Sequence, residues 1–217
     1  SPRYSIQFET RDVHTANQFL TIHDNDTTFI ETYKKELDIN HGVKLDVLPL
    51  DGCPQGYRRS LQKLWALSYA LFLVGKAPEN HGKGVYALGK LLLALVPTAG
   101  LREKLWRLSE RRMTKYPISD CQFITELCSG PRYLGLEYPA EVFSAQRYVP
   151  FEDTSLPIPV GYDTYLTMAF GDYRTLPPVS QRVCHHEYEC LDLEHSYRSY
   201  RGKKYRAAEA GKKGGKS

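Results

Sequence analysis

The sequence has few cysteines, no long apolar run and none of the common catalytic fingerprints. Its five cysteines, Cys53, Cys121, Cys128, Cys184 and Cys190, are odd in number and scattered over 217 residues, far from the density of a disulfide-stapled scaffold, so a reducing cytoplasm suits them. The longest apolar stretch, Leu64 to Gly75, falls short of the ~20 residues that cross a bilayer. The chain opens on Ser1-Pro2-Arg3-Tyr4, with no initiator Met and no basic region leading into an apolar one, so it reads as the interior of something longer and not as a signal peptide. There is no G-x-x-x-x-G-K-[ST], G-x-G-x-x-G, G-x-S-x-G or H-E-x-x-H, which excludes the common nucleotide-binding, hydrolase and zinc-protease fingerprints.

What is present is globular. Apolar residues make up 41%, aromatics 12% and charged residues 25%, and the length suits one domain around one core. The net charge of +4 is uneven. From Leu191 onward Arg198, Arg201, Lys203, Lys204, Arg206, Lys212, Lys213 and Lys216 face only Asp192, Glu194 and Glu209, and the remainder sums to near neutral. The expectation is a domain over 1–190 and a basic tail over 191–217. The last stretch, from Gly211, has nothing apolar to bury and is expected to be disordered.

Alternation in Tyr4–Glu9 and in Val43–Leu50 has the period of two of strands. Asp24-Asn25-Asp26-Thr27-Thr28 reads as a connection between strands, and Pro49 ends the second run. From about 55 to 116 the period becomes helical. A first helix is expected to turn Leu61, Leu64, Trp65, Tyr69 and Phe72 inward, a second Leu88, Leu91, Leu92 and Leu95, and a third, after Pro97, Leu101, Leu105 and Leu108. Short strands are expected at 122–124 and 147–151, and a helix over Tyr162–Phe170 closed by Gly171.

Three constellations carry chemistry. Asp46 is the one acid in an apolar strand, with Asp51 just beyond its end. A buried carboxylate needs a partner or a metal, and the plainer account puts Asp46 on the solvated face of an edge strand, alternating with Lys44. Cys184-His185-His186-Glu187-Tyr188-Glu189-Cys190, with Cys121 and Cys128, offers zinc-type ligands at spacings unlike zinc knuckles or ribbons. His185 or His186 with Arg182 could instead bind a phosphate. The tail, with Tyr197, Tyr200 and Tyr205 among its cations, could meet an anionic membrane surface or a nucleic acid, or simply confer solubility; nucleic acid is the least expected partner.

Read together, His41-Gly42-Val43-Lys44-Leu45-Asp46-Val47-Leu48-Pro49-Leu50-Asp51-Gly52 resembles the first conserved segment of the LicD family, the phosphorylcholine transferase group related to fukutin and fukutin-related protein. Pro157-Ile158-Pro159, the Tyr-rich run from Tyr162, Phe170-Gly171-Asp172-Tyr173, Pro177-Pro178 and Arg182 to His186 resemble its second block. The resemblance implies an α/β (α+β) fold, a partial nucleotidyltransferase-like domain with a helical insertion at about 55–116. It implies transfer of a phospho-alcohol from a CDP-activated donor to a cell-surface glycan of the lipopolysaccharide or teichoic acid type, with Mg2+ or Mn2+, at the inner face of the membrane. It makes Asp46 the catalytic metal carboxylate and Asp51, Tyr162, Asp172, Arg182, His185 and His186 pocket residues. The family's Asp-rich strand has no counterpart in residues 1–217, so the expectation is a chain lacking that strand and inactive alone. Two rival readings are a non-catalytic glycan- or nucleotide-binding module and a nucleic-acid-binding protein. His23 stands where the family often has a permanent cation, which a histidine replaces only in part.

Overall fold

The computed structural model describes residues 2–183 and 186–206. In chain order it has β1 (Tyr4–Gln7), β2 (Leu20–Asp24), β3 (Thr28–Glu31), β4 (Val43–Val47), β5 (Asp51–Cys53), α1 (Tyr57–Val74), α2 (Lys83–Leu95), α3 (Ala99–Met113), β6 (Phe123–Thr125), α4 (Pro131–Leu134), β7 (Tyr138–Pro139), β8 (Gln146–Phe151), β9 (Thr154–Pro159), α5 (Tyr162–Phe170) and β10 (Tyr188–Asp192). The strands pair in small antiparallel sheets, an α+β fold. Where composition suggested one domain, the chain divides into two compact units, 1–47 with 178–217 and 48–177.

The first unit holds a three-stranded sheet in the order β1-β2-β4 and a ribbon of β3 with β10. The expected turn lies between β2 and β3. Asp24 anchors it, accepting the Asp26 N–H at 3.2 Å and both Arg3 guanidinium donors at 3.1 and 2.9 Å. Residues 191–206 are part of this unit: β10 runs through Leu191, and Tyr205 is buried with its ring 4.4 Å from that of His41. Residues 207–217, which include the stretch from Gly211 where disorder was expected, lie outside the described residues.

In the second unit α1 packs on α3, with the Ser68 and Ser109 hydroxyls 2.9 Å apart and Tyr69 edge-on to Trp106. The three helices fall where the periodicity placed them, but their inward faces differ from the expectation. α1 buries Arg59, Gln62, Ala66, Tyr69 and Leu73, and α3 buries Trp106, Ser109 and Met113. Leu61, Leu64, Leu67, Leu88, Leu91, Leu92, Leu95 and Leu101 are exposed. The reason is a buried polar network that outweighs apolar patterning. The Arg59 guanidinium donates to Gln62 Oε1, Thr125 Oγ1 and the Leu134 carbonyl at 2.7–2.8 Å, and the Gln62 amide donates to the Gly52 and Met113 carbonyls at 2.9 and 3.0 Å. Carbonyls that strands and helices leave unpaired are satisfied there instead of by water.

Candidate functional site

Successive strand residues face opposite sides of a sheet, and the register of β1, β2 and β4 lines up Ser5, His23 and Lys44 in one row and Gln7, Thr21 and Asp46 in the next. These rows share a face. Thr21 and His23 on it are buried, whereas Leu45 on the other face is 65% exposed. β4 is the edge strand of this sheet and Asp46 on it is exposed, as the plainer account has it, while Lys44 in the neighbouring row is covered. Asp46 lies at the rim, its side chain 41% exposed and its Oδ1 3.8 Å from Lys44 Nζ.

His23 supports this face as a neutral group. Burial lowers its pKa to about 4 despite the Gly42 carbonyl, which favours the protonated ring; the Lys44 and Lys34 charges add to the lowering. Nδ1 donates to that carbonyl at 3.1 Å and Nε2 accepts from the Thr21 hydroxyl at 2.8 Å, which assigns the tautomer. His23 therefore does not replace a permanent cation.

Next to it Glu31 gathers three donors. Its Oε2 accepts from Lys44 Nζ at 2.9 Å and lies 3.2 Å from Lys34 Nζ, while Oε1 accepts from the Tyr33 hydroxyl at 2.7 Å. Burial would raise the Glu31 pKa, but the Lys34 charge, the Tyr33 hydroxyl and Lys44 hold it at about 2. Lys34, 5% exposed at its side chain, also donates to Asn17 Oδ1. Burial and the neighbouring Lys44 charge lower its pKa. A fixed anion thus holds two cations beside Asp46. This cluster was missed from sequence. Its one local signal was a charged residue, Glu31, closing an apolar strand.

The other expected site residues separate by unit. Arg182 and His186 belong with Asp46 in the first unit. His186 meets the Phe29 ring edge-on at 6.1 Å, and Phe29 and Glu31 share a face of β3. His185 and Cys184 lie outside the described residues. Asp51, Tyr162 and Asp172 belong to the second unit. Burial alone raises the Asp51 pKa to about 6. Tyr162 opens α5 under the Arg147 guanidinium, 4.8 Å from its ring centroid. Asp172 accepts from the Thr175 hydroxyl and from backbone N–H groups of Thr175 and Arg174, which lower its pKa and make it the cap of the turn after α5. That turn folds back on the helix start, where the Tyr173 hydroxyl and Arg174 donate to Asp163 at 2.5 and 2.6 Å. No hydrogen bond or ring contact among the described residues joins Asp51 to Tyr162 or Asp172. The unit also buries Glu126, whose Oε1 accepts from the Tyr138 and Tyr165 hydroxyls at 3.0 and 2.9 Å.

Among the described residues no three His, Cys, Asp or Glu side chains converge as metal ligands. Cys121 and Cys128 lie in one unit and Cys190 in the other. Glu31 spends both oxygens on Lys34, Lys44 and Tyr33, so Asp46 is the carboxylate of this face with oxygens to offer. One carboxylate fits Mg2+ or Mn2+ where substrate phosphates and water supply the remaining ligands, the usual manner for Mg2+.

Part of this chain is similar to LicD. Over 80 residues it is 36% identical to the lipopolysaccharide cholinephosphotransferase LicD of Haemophilus influenzae, a match covering 36% of this chain and 30% of that protein. The chain thus spans under a third of the length of that curated relative. No family model and no solved structure matches. Two glycines, Gly42 of the first segment and Gly161 just before the Tyr-rich run, have a mechanical reason. A Cβ on Gly42 would lie 2.1 Å from the Asp24 carbonyl oxygen, where β4 enters beside the end of β2, and one on Gly161 would lie 2.6 Å from Val142 Cα, where α5 begins.

Proposed function

We propose that the chain carries part of a LicD-like phosphotransferase, which moves phosphorylcholine or a similar phospho-alcohol from a CDP-activated donor to a glycan hydroxyl of the cell surface. The observation that carries this reading is the polar face of the first unit. There a rim carboxylate, Asp46, stands beside Lys44, and Lys44 is fixed by Glu31. The partial identity to a cholinephosphotransferase supports the donor chemistry.

In the reaction a glycan hydroxyl attacks the phosphorus that bears the alcohol. The bond from that phosphorus to the bridging oxygen breaks, and CMP leaves with the electron pair. A Mg2+ held through Asp46 would offset charge on the diphosphate. Lys44 adds a fixed cation beside it, and Arg182, His185 and His186 are assigned to the donor phosphates. Tyr162, Asp172 and Asp51, which belong to the second unit, are given no part in this step. The proton of the attacking hydroxyl passes to solvent.

The test is calorimetric titration of CDP-choline and CDP-ribitol into the chain with and without Mg2+, for wild type and Asp46→Asn. Binding that requires Mg2+ and is lost in the variant is expected, and the donor that binds names the alcohol. Binding of neither donor, or equal binding by the variant, overturns the assignment. Donor binding without release of CMP onto any acceptor would favour a non-catalytic module.

A further inference from the structure

The second unit exposes a surface that the proposed chemistry does not use. α2 buries only Gly89 and Leu93 and turns Val85, Leu88, Leu91, Leu92 and Leu95 outward, with Leu88, Leu91 and Leu95 each more than half exposed. These positions recur every three or four residues and so form one stripe. Lys83 and Lys90, two turns apart, lie on another side of the helix, Lys90 about 100° round from Leu91. At the foot of the helix an open recess of about 460 Å³ is lined by Lys76, Lys90 and Arg102 among others. Arg102 is fixed there by donating to the Val96 and Leu93 carbonyls at 2.8 and 3.2 Å.

The charge of this region is strongly of one sign. Between Gln55 and Tyr116 there are twelve Lys or Arg and three Glu, a surplus of nine. The tail is therefore not the only basic segment. The remainder of the chain sums to near neutral because acidic stretches on either side cancel the helices. A protein partner for so apolar a stripe would need matching acids around an apolar patch, whereas an anionic bilayer presents both properties at once over any area. Thirteen residues of helix are about 20 Å long against a hydrocarbon core of ~30 Å. Among the described residues no single helix is long and apolar enough to cross a membrane.

We propose that α2 lies in the plane of an anionic lipid surface, with its leucine stripe among the acyl chains and Lys76, Lys83, Lys90 and Arg102 at the headgroups. The inference is independent of donor binding, and its test contains no nucleotide. The chain is floated with vesicles of phosphatidylcholine, alone or mixed with phosphatidylglycerol, beside the variants Leu88→Ser/Leu91→Ser/Leu95→Ser and Lys83→Glu/Lys90→Glu. Wild type is expected to float with the mixed vesicles. The serine variant, altered only at exposed positions, should lose at least about tenfold in partitioning with its circular dichroism unchanged, and the charge reversal should lose the preference for anionic lipid. No flotation of wild type overturns the proposal. So does flotation that survives the serine variant, which would assign binding to the tail, and so does a leucine-dependent dimer that does not bind vesicles, which would assign the stripe to a second copy of the chain.

Discussion

Replacing Glu31 with Gln keeps the shape of the side chain and removes the one anion that Lys34 and Lys44 share. All three side chains are poorly exposed, at 11%, 5% and 14%, so the variant strands Lys34 where water reaches it badly and leaves Lys44 only the rim carboxylate of Asp46. Two routes give the size. Holding the Glu31 pKa at about 2 instead of 4.5 is equivalent to about 3 kcal/mol. Breaking a buried ion pair by deleting one partner costs about 3–5 kcal/mol. We therefore expect Glu31→Gln to destabilise the first unit by about 3 kcal/mol at neutral pH. The sign with pH follows from the lowered value. A carboxyl more acidic in the folded chain contributes its full stabilisation above its unfolded pKa and loses it as pH falls from 4.5 towards about 2. Both tryptophans, Trp65 and Trp106, lie in the second unit, so the readout is urea unfolding followed by the amide NMR signals of β3 and β4. The difference between wild type and variant should shrink as pH falls through that window. A difference that stays constant across it, or one below about 1 kcal/mol at neutral pH, refutes the reasoning.

Arg59→Met should cost the second unit about 3 kcal/mol, because Thr125, Gln62 and the Leu134 carbonyl lose a buried donor; the urea midpoint read by tryptophan fluorescence checks it. Asp51→Asn should stabilise the same unit at neutral pH. Its carboxyl is less acidic in the folded chain, so its contribution is fully present below pH 3.8 and is lost as pH rises through about 6. The variant's advantage in midpoint should therefore vanish in acid. His23, with its pKa lowered to about 4, should show imidazole NMR signals of the neutral ring at about pH 5.5, where an ordinary histidine is largely protonated.

The parts of the fold that local chemistry dictates were legible in the sequence. The alternation at Tyr4–Gln7 and Val43–Val47, the turn formers from Asp24 and the helix ending at Gly171 all appear where expected, because strand period, Asx turns and glycine caps involve neighbours in sequence. What the sequence misled on was direction. Apolar periodicity assumes that the greasier side turns inward, yet α1 buries Arg59 and Gln62, whose partners lie up to 78 residues away in the chain. The same holds at the site. Asp46 stood out by pattern, but the cluster beside it joins Asn17, the Glu31–Lys34 pair and Lys44 from three separate places. Tyr197 and Tyr205, read as aromatics scattered in a basic tail, pack on His41 within the first unit.

These observations join at Lys44. Its ammonium lies 2.9 Å from Glu31 and 3.8 Å from Asp46, so it sits closer to the anion that no ligand needs and farther from the one proposed to hold a metal. Glu31 would then serve donor binding without touching the donor, by keeping Lys44 from closing onto Asp46 and neutralising it. In Glu31→Gln the cation is expected to swing to the remaining carboxylate, since an ion pair left without one partner takes the nearest other. Mg2+-dependent binding of the CDP donor should weaken by about tenfold, the effect of 1.4 kcal/mol. Adding Lys44→Met to Glu31→Gln should recover part of the Mg2+ dependence, because Asp46 is again unpaired, while the loss of a phosphate-gripping cation remains. Full donor affinity in Glu31→Gln, measured by the same calorimetry in chain shown to be folded, would mean that Lys44 does not compete for Asp46 and that Glu31 acts on stability alone.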